Sequence, residues 1–217
     1  WAGVDYARPG LPLTRAVSAV TARRDVDVLL MANHGLVVGG ASVAEAEARL
    51  IAVVAALRRP VRPAPLADSA ALTALAAAAS SAGQGQGWRL PAVARTHALA
   101  TDAVNLARAQ AGVLYPDHVV FLGSSLCTAP EGADDLAQQA WLVARQADGA
   151  APPCVALPGR GVLVRADLGD AAEEMLACWA DVLQRLPASP EPSYLPPDEV
   201  LALSNWEAEK FRQQQLR

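Results

Sequence analysis

The sequence predicts an α/β protein in two parts, the second a small three-layer domain with a mainly parallel sheet. Three observations lead there. Segments of helical and strand period alternate along residues 67–217, the pattern of a sheet with helices on its faces. A break at Arg58-Arg59-Pro60-Val61-Arg62-Pro63-Ala64-Pro65 can be neither helix nor central strand, because each proline removes a donor and restrains its predecessor. Before the break, a helix, two strands and a helix follow in order. The expected division is residues 1–58, a linker at 59–66, and a second domain at 67–217.

In the first part, Trp1 to Gly10 is irregular. A helix begins at Pro12 and runs to about Arg24, with Leu13, Val17 and Val20 on one face. A strand at Val26–Ala32 and another at Gly35–Val38 meet at Asn33-His34-Gly35. Ser42, with Glu45 three residues on, has the capping-box pattern and opens a helix to Leu57. Its expected buried residues are Val43, Ala46, Leu50, Val53 and Val54.

The second part opens with Asp68-Ser69, capping an alanine-rich helix that ends near Ser81 before the flexible Gly83–Gly87 turn. A strand at Val93–Leu99, a helix capped by Thr101-Asp102 and running to Ala111, and a strand at Val119–Leu122 come next. Then follow a helix from Glu131 to Gln146, strands at Cys154–Leu157 and Val162–Val164, and a long helix from Gly169-Asp170 to Leu186. A last helix starts at Pro196-Pro197-Asp198-Glu199, with proline in its first turn.

Composition excludes several classes. Apolar residues make up 53%, an excess that is largely alanine, and 18% charged residues with 5% aromatics fit an ordinary globular protein. A net charge of −4 offers no electrostatic basis for nucleic acid as a partner. No apolar run is long enough to span a bilayer and no basic-then-apolar leader opens the chain, so no membrane association and a cytoplasmic location are expected. Cys127, Cys154 and Cys178 are odd in number and lack Cys-x-x-Cys spacing, which suggests reduced, mostly buried thiols. The first residue is Trp1 and the first methionine, Met31, lies in an expected strand. A fragment, a processed product or a chain whose front portion is missing is the expectation.

His34 is the candidate for chemistry. A histidine at a hinge between two strands can leave the sheet and present its imidazole to a metal; alone, it is more often a hydrogen-bonded structural residue. The run Val28-Leu29-Leu30-Met31-Ala32-Asn33-His34-Gly35-Leu36-Val37-Val38-Gly39-Gly40 resembles the segment of the class II aldolase/adducin family in which Asn-His-Gly ends a core strand. The resemblance implies that His34 is the last of three histidine ligands to a divalent metal, most readily zinc. Asn33 and Gly35 would support the loop. The His-x-His pair of that family comes earlier in its chain than anything present here, and so do its acid/base residue and phosphate pocket. The catalytic residue therefore stays unassigned among these 217 residues. Glu45 and Glu47 read as a cap and a solvated face.

Tyr115-Pro116-Asp117-His118-Val119-Val120, Leu157-Pro158-Gly159-Arg160-Gly161-Val162 and Asn205-Trp206-Glu207-Ala208-Glu209-Lys210 occur in order. Together they resemble the extension of long bacterial members of the same family, the rhamnulose-1-phosphate aldolase-like proteins. The resemblance implies a metal-dependent lyase of carbohydrate metabolism performing retro-aldol cleavage of a phosphorylated or acidic sugar. It also implies a homo-oligomer. The competing expectation is a non-catalytic adducin-like or oligomerisation module of the same fold. Ser124, Ser125 and Arg160, at strand ends, are candidates for a second anion pocket, although caps and turns of any such sheet look the same. His118 reads as a turn residue at the start of a strand, and His97 as half-buried within one.

Overall fold

In the computed structural model, which describes residues 1–147, 151–187 and 189–206, the first part is a three-stranded sheet with two helices. Its elements are β1 (Ala2–Val4), α1 (Leu11–Thr21), β2 (Val28–Met31), β3 (Gly35–Val38) and α2 (Val43–Leu57). β1 runs parallel to β2, with α1 as the crossover, and β2 pairs antiparallel with β3 from Val28↔Val38 to Met31↔Gly35. Leu13, Ala16, Val17 and Val20 of α1 pack on Ala2, Val4 and Leu29, so the expected face of this helix is the one used.

The cap of α2 forms as its sequence specifies. Glu45 N–H donates to Ser42 Oγ at 3.2 Å, and the Glu45 carboxylate turns back to accept from Ala41 N–H at 2.8 Å. The expected buried face does not form. Only Val53 is buried, whereas Val43 is 86% exposed and Leu50 and Val54 lie open. The helix touches β3 along one edge, and no described element covers the rest.

The second part contains α3 (Ser69–Ala82), β4 (Trp88–Arg89), a 3₁₀ turn (Ala94–His97), α4 (Ala98–Thr101), α5 (Ala103–Ala111) and α6 (Pro116–Leu122). It continues with β5 (Cys127–Thr128), α7 (Asp135–Ala147), β6 (Cys154–Leu157), β7 (Gly161–Arg165), α8 (Asp170–Arg185) and α9 (Pro197–Ser204). Its sheet has the order β4-β7-β6-β5. On one face Val155, Leu157 and Leu163 pack against Leu72 and Leu75 of α3 and Leu142 of α7. On the other, Cys154, Ala156, Val162 and Val164 meet Leu99, Leu176, Trp179 and Leu183. The three layers and the α/β class agree with the sequence.

The strand directions do not. Of the three pairings only β5–β6 is parallel, while β4–β7 and β6–β7 are antiparallel. Only Pro158, Gly159 and Arg160 separate β6 from β7, too few for a crossover, so the chain turns back as a hairpin. The parallel expectation came from the alternation of strand and helix segments, which fails where β6 and β7 follow each other with no helix between them.

Two expected strands are helical. Val93–Leu99 becomes the 3₁₀ turn and α4, with every side chain from Thr96 to Thr101 buried and no alternation. Val119–Leu122 lies in α6, where Pro116 takes the first turn and Tyr115 the extended cap position. His118 and His97 are accordingly helical and buried, not strand residues.

The proline-rich break is tied down. Arg62 N–H donates to Gln184 O at 2.8 Å, and Gln184 Nε2 returns a bond to Arg62 O at 3.1 Å. The Arg62 guanidinium reaches Asp102, whose carboxylate also caps α5 by accepting from Asn105 N–H. Burial works against the Asp102 charge, but Arg62 and the cap N–H groups outweigh it and hold the carboxyl below its usual range. A depressed carboxyl stabilises the fold above the unfolded-state value and ceases to do so as pH falls through the folded one. Asp102→Ala should therefore lower unfolding free energy by about 2 kcal/mol at neutral pH, through a lost cap and lost charge-assisted bonds. In urea titrations the gap from the parent should narrow below about pH 4; a gap that is constant with pH would mean the charge is irrelevant.

Candidate functional site: the Asn33-His34-Gly35 hinge

The β2–β3 connection is a tight turn closed by His34 N–H donating to Met31 O at 3.1 Å. Asn33 takes its third position with φ 59°, a left-handed conformation that asparagine adopts more readily than most residues. Gly35 follows at φ 129°, where a side chain would have open space around it, so glycine is required there for its backbone and not for room.

This turn lifts the His34 ring out of the sheet, half-buried. Its Nε2 lies 2.8 Å from Ala7 O. A carbonyl only accepts, so Nε2 carries the proton, and in the neutral ring the lone pair falls to Nδ1. The Tyr6 ring lies parallel to the imidazole at 9°, with centroids 5.4 Å apart. Tyr6 OH in turn donates to Glu199 Oε2 at 3.2 Å, and Arg8 grips the same carboxylate with bonds of 2.9 and 2.8 Å. Burial and the neighbouring Glu199 push the Tyr6 hydroxyl up to about 12. Arg8 holds the Glu199 carboxyl below its usual range.

Asn33 points the other way. Its carboxamide Nδ2 donates to Leu114 O at 2.8 Å and to Ser193 O at 2.7 Å, spending both hydrogens on the second part of the chain. The hinge thus sits where the two parts meet, held by Asn33 on one side and by Tyr6 and Arg8 on the other. Sequence reasoning singled out Asn33 and His34 but missed Tyr6, Arg8 and Glu199. Their only trace is an aromatic and a cation two residues apart in an irregular opening, with no period to mark them.

The other histidines do not join His34. His97 Nδ1 accepts from Val162 N–H at 3.1 Å and packs under Gly161, where an added side-chain carbon would come within 2.8 Å of the ring. His118 is fully buried, its ring edge against Trp179 with centroids 3.7 Å apart, and burial pushes it down to about 3. Among the described residues no group of three His, Cys, Asp or Glu side chains could hold a metal ion.

Ser124 and Ser125 are exposed beyond α6. Ser124 borders a cavity of about 380 Å³ together with Val113, Leu195, Val200 and Ser204. Arg160, in the β6–β7 turn, bonds Asp135 and Gln138 of α7. Cys154 is buried, and desolvation pushes its thiol up to about 12; Cys127 is half-buried, and Cys178 is exposed, contrary to the expectation of mostly buried thiols. Trp206 closes the described chain near Gly10, and Glu207 to Lys210 of the third motif lie outside the described residues.

Residues 1–59 match the family model described as Class II Aldolase and Adducin N-terminal domain. That span runs from β1 to the end of α2 and contains the whole hinge. Neither a curated protein nor a solved structure matches the chain. Among the described residues, no helix is long and apolar enough to cross a membrane.

Two measurements follow from this geometry. Asn33→Gly keeps the left-handed backbone accessible but loses both carboxamide bonds, and should cost about 1–2 kcal/mol in urea unfolding. Asn33→Ala should cost about 1 kcal/mol more, because alanine resists that backbone. Equal losses would show that the conformation carries no strain.

For His118, a depressed folded pKa means that the unfolded chain binds a proton below about pH 6.5 while the native chain does not. Stability should fall as pH drops from there towards 3, by up to about 1.4 kcal/mol per pH unit. His118→Phe, placing an apolar ring beside Trp179, should remove that part of the slope.

Proposed function

We propose that this chain is part of a class II aldolase-like, metal-dependent lyase of the long bacterial, rhamnulose-1-phosphate aldolase-like kind. The reaction is retro-aldol cleavage of a phosphorylated or acidic sugar in the cytoplasm, as a step of carbohydrate metabolism. The observation that carries this reading is the hinge itself. Within the family-matched residues 1–59, a left-handed Asn33 and a positive-φ Gly35 bracket a histidine whose ring is fixed in both plane and tautomer.

His34 would be one ligand of a divalent metal, zinc by this reading. The described residues alone do not make a metal site, so on this reading the remaining ligands come from polypeptide outside them. When bound, such a cation stabilises negative charge on an enediolate oxygen. The contribution of this chain is orientation. Ala7 O fixes the Nε2 proton, Tyr6 holds the ring plane, and Nδ1 keeps its lone pair; a backbone carbonyl behind a ligating imidazole is a common way to set its tautomer. Ser124, Ser125 and Arg160 stay proposed as a second anion pocket, although the cavity that Ser124 borders is lined by neither Ser125 nor Arg160. An anion at Arg160 would compete there with Asp135.

A second reading, a non-catalytic adducin-like or oligomerisation module, is favoured by the lack of any His, Cys or carboxylate cluster around His34 among the described residues. Elemental analysis of the intact purified protein, with its mass measured alongside, separates the two. About one equivalent of zinc, lost in His34→Ala while the fold is retained, is the expected result. A full-length protein free of bound metal would leave the module reading standing.

A further inference from the structure

We infer that the cavity between α5 and residues 191–194 is a binding site for a small monocarboxylate with an apolar body. The ligand's carboxylate takes the place that Glu191 holds beside Arg108. This goes beyond the lyase reading and does not depend on it.

Ala103, Val104, Ala107, Arg108 and Ala111 fall within about 140° of arc on α5 and, with Glu191 and Tyr194, line a cavity of about 330 Å³. Volumes of this size hold small organic molecules. The α5 side is apolar apart from one cation, the Arg108 side chain, which is only 4% exposed among alanines that are themselves exposed. A charge taken so far out of water has to be answered by an opposite one. Arg108 Nη2 donates to Pro187 O at 2.7 Å and Nη1 reaches Leu186 O at 3.5 Å, but carbonyls carry no net charge. Glu191 brings a carboxylate. Its Oε2 stops 3.7 Å from Nε, beyond hydrogen-bond reach, on a side chain that is 72% exposed.

Tyr194 adds a second donor. Its hydroxyl is buried and has no hydrogen-bond partner among the described residues, a state that native structures usually resolve with a ligand or a water. Burial and the nearby Glu191 raise its pKa while Arg108 works the other way, so the hydroxyl keeps its proton with both charges in its neighbourhood. The ring is held in place. Leu195 N–H donates to Val113 O at 2.9 Å, and the ring lies so close to Gly112 that an added side-chain carbon would come within 3.1 Å of it. A cation and a neutral hydroxyl, both donors, beside a wall of alanine and valine suit one carboxylate on an apolar chain. Glu191 shows that a carboxylate reaches this place, and an exposed side chain at 3.7 Å can yield it. A sugar acid would set hydroxyl groups against Ala103, Val104 and Ala107, whose side chains offer them no partner.

Butanoate is the probe, titrated calorimetrically into the 217-residue chain at constant ionic strength and neutral pH. Saturable one-to-one binding with a dissociation constant of about 1 mM is expected. Glu191→Gln removes the competing carboxylate and should tighten binding about threefold or more. Val104→Asp, which sets a negative charge in the apolar wall, should weaken it about tenfold. Both positions are exposed, and an unchanged melting temperature shows that the variants remain folded. Absence of saturable binding to both the parent and Glu191→Gln overturns the inference. So does gluconate or inorganic phosphate binding as tightly as butanoate, or butanoate binding that is indifferent to Val104→Asp. A Glu191→Gln variant that binds no tighter overturns the exchange with Glu191. Zinc content is read separately, so either result leaves the lyase reading to its own test.

Discussion

The bonds from the Asn33 carboxamide to Leu114 O and Ser193 O are the constraint on which the arrangement of the two parts rests. The same residue closes the β2–β3 turn with a left-handed backbone, so turn geometry and docking are set by one side chain. Aspartate could adopt the backbone but has no hydrogens to give; glycine could adopt it but has no side chain. Only an amide at this point satisfies both demands. The direction in which the His34 ring leaves the sheet is then fixed relative to the second part, and Tyr6, held by Glu199 of α9, presses on its face. Structure at the end of the chain thereby determines how a residue near its beginning is presented.

Local chemistry is what the sequence displays most clearly. Ser42, Asp68 and Asp102 each cap the helix they were expected to cap, since a cap needs only a side chain and a backbone three residues on. The hinge at Asn33-His34-Gly35 is legible for the same reason. Strand direction is not local, and Cys154–Leu157 looks the same in a parallel or an antiparallel sheet once both faces are buried. The three-residue gap before Gly161 held the missing information. In α6, burial all round hid the helical period, and Pro116 was the better guide. The pairing of Glu199 with Tyr6 and Arg8 spans more than 190 residues and leaves no pattern in either segment.

The two parts also differ in how far they can stand alone. The second closes two apolar clusters on opposite faces of its sheet, with Leu157, Leu163 and Val162 wholly excluded from solvent. Through β3 and α2, the first buries only Ala2, Val4, Val28, Leu29 and Val53 among its apolar side chains, and α1 has no buried residue. So little burial cannot offset the conformational entropy of ordering this segment, which costs roughly 1–2 kcal/mol per residue for the backbone alone. The first part must therefore draw stability from outside its own core. The hinge contacts supply it on one side, through hydrogen bonds that are individually modest. The apolar face of α2, turned away from β3, is the area still available on the other. Covering that face would stabilise the helix that follows the hinge strands, and with it the support under His34.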